Sequence, residues 1–209
     1  MDEKEKRDYI YRPFRKTIPM PLQKTSREEI LVKAMRVFRL QGYHHSSMAD
    51  LARACGVQKA HMYYYFENKE ALMRAVLEAV LSYAEARVFP LAYEDERSPE
   101  ARIEDIIGQL RRLLAMDQGG CLMANTALEV SHLQPAPDFL AVVRAFFEQL
   151  LDALTHLLKH ILPPEAAQSQ AETQVAALEG ALLLSQVYED PAYFERGLER
   201  LSALFTPIA

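Results

Sequence analysis

The sequence predicts an all-α fold, and three observations lead to this prediction. Apolar residues recur at the three- and four-residue spacing of amphipathic helices along most of the chain. No segment sustains the strict alternation of apolar and polar residues that is typical of a strand. Only seven of the 209 residues are glycine, which leaves few positions for the tight turns that an antiparallel sheet requires.

The chain begins with an arm and a first helix. Residues 1–26 mix charged residues with prolines and have no helical period, so we expect a flexible arm. From Arg27 to Gln41 apolar residues return at helical spacing, and Gly42 follows where the helix ends. The apolar positions of this helix are Ile30, Ala34, Val37 and Phe38.

Two short helices and a longer one come next. Ser47 with Asp50 three residues later forms a capping box that starts a helix, which stops at Gly56. A third helix is expected over residues 58–65. Asn68 is a cap for a fourth helix that continues to Phe89. A helix, a tight glycine turn and a short helix together predict a helix-turn-helix.

The remainder of the chain predicts longer amphipathic helices separated by proline and glycine. The first of these helices starts at Ser98-Pro99 and the last starts at Asp190-Pro191. The three between them run from Gly119-Gly120 to about Leu133, from Asp138 to Pro163, and from about Glu165 to Glu189.

Charge is distributed unevenly along the chain. Residues 1–70 contain 14 Lys+Arg and 9 Asp+Glu, a net charge of +5, whereas residues 71–209 contain 10 and 20, a net charge of −10. Phosphate contacts depend on local positive charge, so a basic front on an acidic body is compatible with a nucleic-acid ligand despite the overall charge of −5. A chance fluctuation of surface charge is the alternative.

The third helix carries the stretch GVQKAHMYYYF, residues 56–66. At about 100° per residue, Met62 and Phe66 share one face, and Ala60 and Tyr63 point away from it. A lysine, a small residue and phenols on the outer face suit phosphate and base-edge contacts in DNA. Packing of the tyrosines against neighbouring helices is the alternative, and for Tyr64 the helical wheel does not decide. The predicted DNA contacts are Ser47, Gln58, Lys59, Ala60, His61, Tyr63, Tyr65 and Lys69.

The segment SSMADLARACGVQKAHMYYYFENKEALM, residues 46–73, resembles the DNA-binding signature of the TetR family of bacterial transcriptional repressors. The resemblance rests on Ser47, Leu51-Ala52, Gly56-Val57, Lys59-Ala60, Met62, Tyr63-Tyr64-Tyr65-Phe66 and Lys69-Glu70-Ala71-Leu72. Two positions depart from the family pattern, because Gln58 replaces a frequent Ser and His61 replaces a frequent Ser or Thr. These departures leave the operator sequence open.

The resemblance implies an architecture and a function for the whole chain. It implies a helix-turn-helix DNA-binding domain over residues 27–73 and a helical effector-binding and dimerisation domain over residues 74–209. The last two long helices would pair with those of a second subunit, and the homodimer would bind a palindromic operator in double-stranded DNA and repress transcription. The wide apolar coverage of the helix that carries Val175, Leu178, Gly180, Ala181, Leu182 and Val187 agrees with such pairing.

A second chemically informative stretch surrounds Cys121, which follows two glycines at a predicted helix start. The helix dipole lowers the pKa of a thiol at that position, so a reactive cysteine that senses electrophiles or oxidants is one hypothesis. The stretch is similar to Gly-Cys segments of a TetR branch that responds in this way. The alternatives are a buried, inert cysteine and a small apolar effector. The candidate effector or sensor residues are Cys121, Met123, Asn125, Phe146 and Phe147.

Other functions find less support in the sequence. A thiol enzyme would need Cys121 and a base such as His132, but eleven residues on one helix span about 16 Å. A helical interaction protein without DNA binding disagrees with the retained lysines and tyrosines. Two cysteines without zinc-type spacing predict no structural metal, and no cofactor motif is present. No apolar run approaches the length of about 20 residues that a membrane-spanning helix needs, so we expect a cytoplasmic protein.

Overall fold

The computed structural model describes residues 25–114 and 119–206, and within these ranges the protein is all helical. The predicted all-α fold is thereby confirmed. Most of the arm predicted over residues 1–26 lies outside the described residues, which begin at Thr25. The described ranges contain no helix whose length and apolar character would let it cross a membrane.

Nine α-helices and one 3-10 helix make up the described chain. They are α1 (Arg27–Gln41), α2 (Met48–Cys55), α3 (Lys59–Tyr65), α4 (Lys69–Arg87), the 3-10 helix (Phe89–Tyr93), α5 (Pro99–Leu114), α6 (Leu122–Val130), α7 (Leu140–Leu158), α8 (Pro164–Val187) and α9 (Ala192–Ala203).

The caps expected from the sequence start the short helices. Ser47 and Asp50 form a reciprocal capping box at α2, and the Asn68 side chain accepts the Ala71 N–H at α4. Gly56 ends α2 in the left-handed conformation, at φ 71° and ψ 29°, a backbone region where only glycine carries no steric penalty. These caps and the turn involve only residues close together in the sequence.

The helix-turn-helix packs on one apolar core. Ile30 of α1, Leu51 of α2, Met62 of α3 and Leu72 of α4 are all fully buried. Helix α1 contacts both α2 and α4, while α3 packs against α2 with Met62 buried. The opposite side of α3 is therefore left at the surface.

The second half is a helical body in which α7, α8 and α9 follow one another as packed neighbours. Four predicted limits differ from the structure. Helix α7 ends at Leu158 rather than at Pro163. The fourth helix stops at Arg87 and is followed by the separate 3-10 helix, because Pro90 lacks the N–H that an α-helix would use. Helix α6 ends at Val130 rather than near Leu133, and α7 begins at Leu140 because residues 137–139 form turns.

Candidate nucleic-acid interface and internal pocket

The outer face of α3 presents the side chains that the sequence assigned to it. Gln58, Lys59 and Ala60 are exposed, and Tyr63 is 46% exposed while Met62 is fully buried. The Lys59 ammonium lies 5.7 Å from the centre of the Tyr63 ring, within the range of a cation–π contact. A cation and a phenol therefore stand side by side on this surface.

Tyr64 and Tyr65 have environments that the helical wheel did not distinguish. Tyr64 is 79% exposed, whereas Tyr65 is half-buried and packs against the core. Their rings pack edge to face with centres 5.0 Å apart, so the ring of Tyr65 packs between the core and the ring of Tyr64. Helical periodicity predicts Tyr65 on the contact surface and does not decide for Tyr64, but Tyr64 is the more exposed of the two.

His61 is held by the chain that precedes α1. Its Nε2 lies 3.2 Å from the Thr25 carbonyl oxygen, and its ring stacks against Tyr64 with centres 6.5 Å apart. Because one ring nitrogen is engaged within the protein, His61 positions Tyr64 as well as facing the surface. Its predicted DNA contact stays a prediction.

Ser47 and Lys69 both make bonds inside the protein. The Ser47 hydroxyl, although exposed, donates to Asp50 Oδ2 at 2.6 Å and accepts the Asp50 N–H at 3.2 Å. The Lys69 ammonium donates to the carbonyl oxygens of Tyr43 at 2.7 Å and Ser46 at 3.0 Å. Desolvation lowers the pKa of Lys69, and the Glu129 carboxylate opposes that shift. Lys69 thus holds the loop between α1 and α2, a role that its sequence position did not reveal.

A cavity of about 60 Å³ lies inside the helical body. Its walls are apolar and come from the 3-10 helix and from α4 to α9, with Phe89, Ile103, Met123, Phe146, Leu150 and Leu178 among the lining residues. The polar side chains on the wall are Arg39, Cys121 and Glu179. An apolar cavity with a few polar groups is typical of a small-molecule site.

Cys121 lies on this wall as expected, but its thiol is not activated. The side chain is buried, and desolvation together with the Glu179 carboxylate raises the pKa of the thiol. The backbone N–H groups at the start of α6 oppose the shift without reversing it. The expectation that the helix start lowers this pKa is therefore wrong, because burial beside an acidic group outweighs the dipole.

Glu179, like Arg39, is a polar residue of the cavity wall that the sequence did not predict. It is largely buried on α8, and burial raises its pKa while the hydrogen bond from the Cys121 thiol opposes that shift. The sequence of α8 does not indicate that Glu179 faces the cavity. The position of its carboxyl beside Cys121, at the start of α6, depends on the tertiary structure. The cavity therefore contains a weakly acidic group.

Two of the predicted effector residues do not line the cavity. Asn125 instead donates from Nδ2 to the Gly119 carbonyl oxygen at 2.7 Å, closing the turn before α6. Phe147 packs edge to face on Phe146 with ring centres 5.5 Å apart, which makes it a support for a lining residue. Met123 and Phe146 do line the cavity, and their role in binding an effector stays a prediction.

The cavity wall includes a residue of the first helix. Arg39, in the last turn of α1, is buried and lines the cavity. A Cβ atom added to Gly119 would come within 2.8 Å of the Arg39 carbonyl oxygen, so glycine is needed for the backbones to approach there. Helix α1 and the cavity are therefore in direct contact.

Helix α8 leaves an apolar strip uncovered on a single chain. Leu183, Leu184, Val187 and Tyr188 are between 41% and 63% exposed, and the Tyr188 ring stacks on Tyr193 with centres 5.2 Å apart. A contiguous apolar surface of this kind marks a protein interface more often than a free surface. We call these four residues the α8 strip.

Comparisons with known proteins agree with both halves of this architecture. Residues 30–76 match the family described as bacterial regulatory proteins, tetR family, and residues 99–199 match the C-terminal domain of LmrA/YxaF-like transcriptional regulators. The sequence is 32% identical over 107 residues to the HTH-type transcriptional repressor ComR of Escherichia coli, a match that covers 50% of this chain and 51% of ComR.

Two further comparisons extend over most of the chain. An HTH-type transcriptional regulator of Lactococcus lactis is 25% identical over 195 residues, covering 88% of this chain and 95% of its own. A TetR transcriptional regulator from Legionella pneumophila has a similar structure, with a TM-score of 0.75 and 24% identity over 87% of this chain and 97% of its own. The last likeness concerns the fold alone.

Proposed function

The chain belongs to the TetR family of bacterial regulatory proteins, and on this premise we propose that it is a homodimeric repressor released from its operator by a small apolar effector. It is a DNA-binding transcriptional regulator, as its relatives are named. The observation that carries the proposal is the exposed face of α3. Lys59, Tyr63 and Tyr64 lie on this face, and Met62 on the opposite face is buried in the core.

DNA contact through α3 follows from what these side chains offer. The Lys59 ammonium neutralises a phosphate, and each phenol donates its O–H to a phosphate oxygen while the ring covers sugar or a thymine methyl. Ala60 beside them adds no bulk, so the helix can lie close to the groove. Gln58, His61 and Ser47 border the same surface and complete the proposed interface, with Lys69 and Tyr65 behind it.

A dimer supplies the second α3. We assign the α8 strip to the contact with the partner subunit. Burying its apolar side chains there would stabilise the dimer by about 25 cal/mol for each Å² of apolar surface removed from water. Two copies place two recognition helices in successive major grooves about 34 Å apart, which calls for a palindromic operator. Such a protein acts in the cytoplasm, where bacterial DNA is.

The effector is proposed to be a small, largely apolar molecule in the internal cavity. At about 60 Å³ the cavity has room for about two waters, far below the several hundred Å³ of a typical ligand site. A ligand must therefore push the walls apart. Arg39 of α1 and Met123 of α6 belong to those walls, so expansion displaces the DNA-binding half relative to the body.

Release through modification of Cys121 is the weaker alternative. Its raised pKa leaves little thiolate at neutral pH, and the thiolate is the form that reacts with electrophiles. A thiol enzyme is weaker still, because His132 is exposed beyond the far end of α6 while Cys121 is buried at its start. The matched families point to a regulator rather than to an enzyme.

The experiment that tests the proposal is a binding titration of the full chain on labelled DNA from the region upstream of its own gene. We expect a sequence-preferring complex whose affinity falls as salt rises, with competitor DNA of random sequence binding more weakly. Absence of any complex at low salt contradicts the proposal.

A further inference from the structure

Three potential metal ligands converge between the 3-10 helix and the end of α7. Asp95 follows the 3-10 helix, His156 lies in the last turn of α7, and His160 lies just beyond it. Asp95 Oδ1 is 3.0 Å from His156 Nε2 and 3.5 Å from His160 Nε2. We propose that Asp95, His156 and His160 bind one Zn²⁺ ion, with solvent as the fourth ligand.

The spacing of the three atoms suits zinc. Zn–N and Zn–O bonds of about 2.0–2.2 Å in a tetrahedron separate neighbouring ligand atoms by about 3.4 Å. The two measured separations, 3.0 and 3.5 Å, lie on either side of that value, and one ligand atom from each residue lies within 4.8 Å of the others. The three ligand atoms are therefore close enough together for one ion to contact all of them.

The helix supplies two ligands from one face. His156 and His160 are four residues apart, the spacing that places both imidazoles on the same side of a helical turn. The ring of Tyr93 packs on that of His156 with centres 4.6 Å apart, which limits its rotation. Zinc sites in proteins use imidazole pairs with this spacing together with a carboxylate.

The carboxylate is held from behind by a buried arginine. Arg102 is fully buried and donates from Nη1 to the Ala92 carbonyl oxygen at 2.8 Å and to Asp95 Oδ1 at 2.6 Å. Asp95 Oδ1 can keep this bond through one lone pair and offer the other to the metal. Hydrogen bonds of this kind to a ligating carboxylate orient it and are a regular part of metal sites.

The alternative is an ion pair without metal, in which Arg102 and His156 both contact Asp95 Oδ1. Only a metal site binds zinc at one equivalent per chain, so zinc titration separates the two. Asp95 is 61 residues from His156, so the order of residues does not indicate that they meet.

Zinc at this position would fasten the loop after the 3-10 helix to the end of α7. The 3-10 helix and α7 also contribute cavity walls, through Phe89 and Leu154. A ligand that binds the folded state alone raises the midpoint of thermal unfolding. The site is independent of the proposed DNA contacts, because neither α3 nor its loops contribute a residue to it.

The test uses the full chain after treatment with a chelator that is then removed. Titration with ZnCl2, followed by calorimetry, is expected to give one equivalent per chain and a rise in the midpoint of thermal unfolding. His160→Ala is expected to weaken binding by at least about tenfold and to abolish that rise. His132→Ala, which removes an exposed histidine outside the cluster, is the matched control and should behave like the parent.

Two results overturn the proposal: no zinc binding by the parent, or binding of equal affinity and stoichiometry by the parent and by the variant that carries both His156→Ala and His160→Ala. Circular dichroism in the presence of chelator verifies that the variants fold. Asp95 is not replaced in this test, because its loss would leave the buried Arg102 without that carboxylate.

Discussion

The Glu129 carboxylate accepts the backbone N–H of Tyr43 at 3.1 Å and that of His44 at 3.0 Å, although 86 and 85 residues separate them in the sequence. Glu129 lies near the end of α6, whose first turn lines the cavity, and Tyr43 lies in the loop before α2. Lys69 holds the same loop from the other side. Glu129 therefore joins α6 directly to the start of the helix-turn-helix.

Glu129→Gln is expected to lower the free energy of unfolding by about 1 kcal/mol, because the amide offers one acceptor oxygen where the carboxylate served two N–H groups. Operator affinity should fall a few-fold, since the loop before α2 loosens. Urea unfolding and DNA titration measure the two effects. Glu148→Gln, at an exposed position of α7, is the control. Parent-like values for both quantities in Glu129→Gln would show that the contact is not used.

Tyr63→Phe is expected to weaken operator binding by about fivefold, corresponding to one lost hydrogen bond of about 1 kcal/mol. Fold and dimer should be unchanged because the hydroxyl is at the surface. Tyr83→Phe, on α4 away from α3, removes a phenolic bond to Gln109 and should leave DNA affinity unchanged. Lys59→Ala should reduce the salt dependence by about one phosphate. Equal affinities of the parent and both α3 variants would refute the assigned surface.

Val187→Glu is expected to convert the dimer into a monomer, because it places a charge in the middle of the apolar α8 strip, where a partner would desolvate it. Light scattering after size exclusion gives the mass. Leu128→Glu alters a side chain that is 77% exposed on α6 and should leave the mass of the dimer unchanged. A dimeric Val187→Glu protein would move the interface elsewhere.

Glu179 should make stability dependent on pH. Its pKa is raised in the folded state by burial, so the folded protein holds a proton that the unfolded chain releases at lower pH. Stability is then fully present below the unfolded pKa of about 4.5 and declines as pH rises through the folded value. Glu179→Gln lacks this decline, and its advantage in thermal midpoint over the parent should grow from about pH 5 to about pH 8. A constant difference across that range contradicts the assignment.

Cys121 should react slowly with iodoacetamide in the folded protein at neutral pH and quickly in urea, because burial and Glu179 keep the thiol protonated. Mass spectrometry of the Cys121 peptide follows the modification. If the folded chain is labelled rapidly and loses DNA, while Cys121→Ser keeps it, thiol sensing is restored as the release mechanism.

What the sequence determined by itself is the part that depends on near neighbours. The helical period, the Ser47 and Asn68 caps and the left-handed Gly56 involve residues within four positions of one another, so their physics is visible in the printed order of residues. The exposed Lys59 and Tyr63 opposite Met62 follow from the same periodicity. These features are enough to define the all-α class and the outer face of the short third helix.

Only the tertiary structure decided which groups meet across long separations. It turned Tyr64 outward and Tyr65 against the core, gave Lys69 the carbonyl oxygens of the α1–α2 loop, and raised the pKa of Cys121 by burying it beside Glu179. It also brought Asp95 to two histidines of α7. Burial and electrostatic effects depend on everything within several ångströms of a group, and most of those neighbours are far away in the sequence.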